Sequence, residues 1–76
     1  MVYEVPIRGP MIRLGQLLKL VGVIDSGAEV KAFLATESVS VNGAREQRRG
    51  RQLRPGDVVE VGERQLRLTA ADQAAL

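Results

Sequence analysis

Apolar residues recur at two different periods along this chain, and the place where the period changes constrains the fold more than any other feature. In the segment V-Y-E-V-P-I, residues 2–7, Tyr3, Val5 and Ile7 alternate with Glu4 and Pro6, the period of a half-buried strand. Pro6 has no N–H to give to a ladder, so this strand belongs at a sheet edge. After Gly9-Pro10 the period becomes helical. Leu14, Leu17, Leu18 and Val21 form one apolar stripe of a short helix that starts at Ile12 and stops at Gly22. Ser26 followed three positions later by Glu29 has the pattern of a capping box, which predicts a second helix from Ser26 with Val30, Phe33 and Leu34 facing inward. Its end carries no glycine, and Glu37 lies at the negative end of the helix dipole.

From Val39 the strand period returns. Val39 and Val41 flank Ser40, and Asn42-Gly43 supplies the two positive-φ residues of a type I′ hairpin turn. Pro55-Gly56 marks another turn, and V-V-E-V leads through Gly62-Glu63 into R-Q-L-R-L, a second hairpin. Residues 69–76, TAADQAAL, read as a tail or a single helical turn. No internal repeat or linker divides the 76 residues, which predicts one domain, 1–76, with its core in 11–68. The order strand, helix, helix, strands is an α+β layout with the helices on one side.

Composition removes most chemistries. With no Cys there are no disulfides and no thiolate metal sites, and with no His the usual agent of acid–base catalysis near neutral pH is missing. The hydroxyls Ser26, Thr36, Ser38, Ser40, Thr69 and Tyr3 therefore lack a histidine partner, and nothing near Lys19 or Lys31 marks a Schiff-base pocket. The acids stand singly rather than at the spacing of a magnesium or calcium loop, and Gly15, Gly22 and Gly27 do not form a nucleotide-cradling turn. The expectation is a non-enzyme with no cofactor and no metal. The N-terminal MVYEVPIRGP has neither a basic leader nor a long apolar run, which makes the cytoplasm the expected location and a membrane an unexpected partner. One Tyr and one Phe are too few for a base-stacking sheet.

What remains is charge. The formal net charge is +2, but residues 45–54 hold five arginines and one glutamate, net +4, while the other 66 residues hold six cations and eight acids, net −2. A local basic field on a slightly acidic body suits an anionic polymer, and it also suits a loop that is merely solvated. All five cations are Arg (Arg45, Arg48, Arg49, Arg51, Arg54), whose guanidinium forks onto phosphate oxygens and stacks on bases. Strand alternation would put Arg49 and Arg51 on one face and Arg48 elsewhere, unless Gly50 kinks the chain. Gly15, inside a predicted helix, costs up to roughly 1 kcal/mol against Ala, and marks either a close approach of backbone or ligand or a weak spot.

The order of motifs resembles the S4 RNA-binding domain, in particular small stand-alone bacterial S4-like proteins. The residues that carry it are R13-L14-x-x-L17-L18, S26-x-x-E29-V30-K31-x-x-L34, V39-x-V41-N42-G43 and L53-R54-P55-G56-D57-V58-V59-E60-V61, spanning about residues 11–68. The resemblance implies an alpha-L motif: two helices packed on a small bent antiparallel β-sheet, with structured RNA, ribosomal or transfer, held on a basic surface without catalysis. Carried over by position, that surface comprises Arg13, Lys31, Arg45, Arg48, Arg49 and Arg51, and Arg54 joins it as the last cation of the arginine run. Gly27 stands where the family has a basic residue after the cap serine, which removes one expected phosphate contact; Gly15 replaces an acid and Glu37 a glycine. The expected protein is a monomer with the ribosome or an RNA-modifying enzyme as partner, and a subunit that delivers RNA to such an enzyme is a further alternative. A module that docks on an acidic protein surface is the alternative that the charge pattern also accommodates.

Overall fold

The computed structural model describes residues 2–71. Its elements are β1 (Val2–Ile7), β2 (Ile12–Arg13), α1 (Leu14–Leu20), α2 (Gly27–Thr36), β3 (Val39–Val41), β4 (Ala44–Arg45), β5 (Gln52–Leu53), β6 (Val58–Val61) and β7 (Arg64–Ala70). Five strands form one sheet in the order β1-β7-β6-β3-β4, and β2 pairs with β5 in a separate two-stranded ladder. The α+β class holds.

The sheet is mixed rather than antiparallel, because β1 runs parallel to β7, from Val2 opposite Gln65 to Ile7 opposite Ala70. The helices supply the crossover that a parallel pair requires. Pro6 does sit in an edge strand, and Val5 and Ile7 are buried while Tyr3 is exposed. The pairing of Thr69 and Ala70 with Pro6 and Ile7 carries the sheet past the predicted core into the predicted tail; the rest of that tail, residues 72–76, lies outside the described residues.

The first helix begins two residues later than its apolar stripe predicts. Ile12 and Arg13 are extended and pair with Leu53 and Gln52 before the chain turns into α1, where the Arg13 N–H donates to Gln16 Oε1 at 3.0 Å. Gly22, at φ +78, ends it as expected, with its own N–H on the Lys19 carbonyl and that of Val23 on Leu18. The second helix starts at the predicted place, with Ser26 extended as N-cap. The reciprocal box does not form, because the Ser26 hydroxyl donates to the Glu29 carboxylate at 3.4 Å instead of accepting from the backbone.

Leu14, Leu17 and Leu18 of α1, with Val30 and Leu34 of α2, bury against Val39, Val41, Leu53, Val59, Leu66 and Leu68, and Phe33 packs partly buried at the margin. Truncating one such leucine to alanine removes roughly 2–5 kcal/mol of stability. The two turn motifs are joined through side chains. Asn42, at φ +51, accepts the Val58 N–H on Oδ1 at 2.9 Å and donates from Nδ2 to Asp57 Oδ1 at 3.1 Å. Asp57 Oδ2 in turn accepts the Arg54 N–H at 2.8 Å. The N-G and P-G-D signals are thus two halves of one corner, which is why their combination is more specific than either alone.

Candidate nucleic-acid interface

The chain leaves the β3–β4 ladder at Arg45, and Glu46 then organises the next five residues. Its N–H donates to the Val39 carbonyl at 2.9 Å, and its side chain, 8% exposed, turns in under the loop. Oε2 accepts the backbone N–H groups of Gln47 and Arg48, both at 3.1 Å, and Arg48 Nε at 3.0 Å. Oε1 accepts Arg48 Nη2 at 3.0 Å and Arg51 Nη1 at 2.9 Å. The Arg48 guanidinium, ahead of the other donors, holds the Glu46 carboxyl down to about 2 against the upward push of burial, and the same bond raises Arg48 above its ordinary range.

The folded loop docks on the first turn of α1. The Leu14 N–H donates to the Arg51 carbonyl and the Gly15 N–H to the Arg49 carbonyl, both at 2.9 Å. Gly15 is therefore a close approach of backbone to backbone. A Cβ there would stand 3.4 Å from both the Arg49 carbonyl oxygen and Val30 Cγ1, so a methyl would just touch both and a longer side chain would have to displace the loop.

This docking creates a depression of about 220 Å³ lined by Arg13, Gly15, Lys19, Gly27, Val30, Arg49 and Gly50. Three cations rim it: Arg13 and Lys19 from either end of α1, and Arg49 from the loop. Among the described residues, none of the three has a carboxylate within ion-pair distance. Gly50 also borders an adjoining shallow depression lined by Arg48, Arg51 and Gln52, so the two are continuous along the loop.

Of the residues expected at an RNA surface, the fold brings Arg13 and Arg49 together, with Arg48 and Arg51 next to them but both tied to Glu46. Arg48 and Arg51, not Arg49 and Arg51, share a direction, because residues 46–51 form no strand and the Arg51 N–H closes a turn onto the Arg48 carbonyl at 3.2 Å. Lys31 on α2, Arg45 on β4 opposite Ser40, and Arg54 before the Pro55 turn line neither depression. The sequence reading missed Lys19, which lies one helical turn after Gly15 and hence on its face, and it counted Glu46 only as one acid among others. The spacing E46-x-R48-x-x-R51, a lone acid inside an arginine run, was the available signal.

A second cleft, of about 230 Å³ between Tyr3, Val5, Val21, Arg64 and Leu66, shares no residue with this surface. Among the described residues no three acidic side chains gather as metal ligands, and no helix is long and apolar enough to cross a membrane.

Two packed helices, the stitched corner and a basic loop docked on α1 define a class. Residues 5–69 match the S4 domain, and the chain belongs to that family. It is also similar to a Bacillus subtilis (strain 168) protein named probable ribosome maturation protein RlbA, with 49% identity over 61 residues that make up 80% of this chain and 86% of the relative.

Proposed function

We propose that this protein is a non-catalytic, cytoplasmic RNA-binding module that captures structured RNA, ribosomal RNA foremost, and acts in the maturation of the ribosome. S4 family membership and the relative's name as a ribosome maturation protein support the ribosomal part. The observation that carries the RNA part is the convergence of Arg13, Lys19 and Arg49, from two separate segments of the chain, on one depression. Phosphates meet these three cations first, and Arg48 and Arg51 extend the footprint along the loop. Lys31, Arg45 and Arg54 lie at its periphery and add long-range attraction. Shape and phosphate spacing, rather than base edges, select the RNA, since the depression offers guanidinium and ammonium groups and little else that reads a base.

Five cations less the one charge that Glu46 offsets leave about four phosphates neutralised, which gives a log–log dependence of affinity on salt with a slope on the order of −3. Titration of purified ribosomal RNA into the protein at several salt concentrations measures it. A slope near zero overturns this reading, and equal competition by RNA and heparin, lost for both when Arg48 and Arg49 are changed to Glu, favours instead a surface that docks on an acidic protein.

A further inference from the structure

Two of the residues that line the depression are glycines that neither close packing nor backbone conformation demands. Gly15 lies in contact with the loop backbone, and five others have positive φ. Gly27 and Gly50 have neither reason: their φ values lie outside the left-handed region, and a Cβ on either would meet nothing within 4 Å. Both face the same depression, Gly27 from the first position of α2 and Gly50 from the arginine loop, beneath the rim of Arg13, Lys19 and Arg49. The fold would accept side chains at both positions; the open space above them would not survive. At about 220 Å³, and running on past Gly50 into the neighbouring depression of about 380 Å³, the space is an open trough rather than an enclosed pocket for one small-molecule ligand. That matches a fragment of a polymer, held by one apolar wall, Val30, and cations at the edge.

We propose that the gap between Gly27 and Gly50 seats one sugar–phosphate unit of a bent RNA strand, its ribose against Val30 and its flanking phosphates on Arg13, Lys19 and Arg49. The seat rests on the RNA-binding reading and adds a steric requirement to it: bare backbone at two points lets the strand descend between the cations.

The test is the double variant Gly27→Gln/Gly50→Gln, which fills the gap without changing charge, with Ala35→Gln on the exposed part of α2 as control. Purified ribosomal RNA is the probe, and thermal unfolding establishes that each variant is folded. The double variant is expected to bind about tenfold more weakly than wild type with the same salt slope, and the control within about twofold. Binding of the double variant within about twofold of wild type overturns the seat and leaves the functional reading standing. Absence of salt-dependent RNA binding in the wild type overturns both. Should the double variant not fold, Gly27→Ser and Gly50→Ser are measured singly, and unchanged affinity in both overturns the seat.

Discussion

The arginine loop and the rim of the depression adjoin at Gly50, yet they treat positive charge in opposite ways. In the loop, Arg48 and Arg51 are held by a carboxylate that accepts five hydrogen bonds, so their geometry is fixed and part of their charge is offset. At the rim, Arg13, Lys19 and Arg49 have no such partner among the described residues, and their charge faces outward. One region uses arginine as a structural bracket and the other presents cations for use. The bracket still serves the rim, because the loop conformation that Glu46 imposes puts the Arg49 carbonyl on α1 and its side chain over the depression. A run of arginines is therefore not a sum of equivalent charges.

The comparison is broken most directly at Arg49. Arg49→Glu is expected to weaken binding to purified ribosomal RNA on the order of 30-fold at low salt and to flatten the salt slope by about 2, whereas Arg48→Gln costs only a fewfold in affinity; equal losses at the two positions would erase the distinction. Next in size is Glu46→Gln, which leaves a bracket with fewer acceptors. It should lower stability by about 1–3 kcal/mol by chemical unfolding, and lower RNA affinity despite raising the net charge; a gain in affinity would mean that Glu46 merely neutralises.

The same carboxylate sets a pH window. Its pKa falls from 4.5 in the ordinary case to about 2 in the fold, so the stability it contributes is fully present above about 4.5 and is lost as pH drops toward 2. The difference in melting temperature between wild type and Glu46→Gln should be constant from pH 5 to 7 and shrink steadily below pH 4.5. The smallest effects are expected at Lys31 and Arg54, outside both depressions, where Lys31→Gln and Arg54→Gln should each change RNA affinity by less than about twofold in a filter-binding assay.

Much of the architecture was legible because its signals are local. The Asn42-Gly43 turn, the stop at Gly22 and the start of α2 follow from backbone preferences within a few residues. The delayed start of α1 was not, since Ile12 fits the helical stripe and its extended conformation depends on pairing with Leu53, 41 positions away. The parallel β1–β7 pair escaped for the same reason. At the candidate site, Arg13 and Arg49 could be nominated from residue type, but not set apart from Arg48 and Arg51. That division depends on where a buried carboxylate lies, and local alternation does not govern a loop. Gly15 shows the middle case, in which sequence marked an anomaly and only the docked loop explained it.

The parallel pairing of β1 with β7 has a consequence for how the molecule comes into being. Strand β1 is synthesised well before the strand on which it lies, since its partner, residues 65–70, follows some sixty residues later. The helices and the central hairpins can assemble meanwhile, but Val5 and Ile7 stay uncovered until β7 slots between β1 and β6. Closure of the sheet is thus a late, long-range event that makes the two ends of the described chain interdependent, and a break at either end releases the same strand pair.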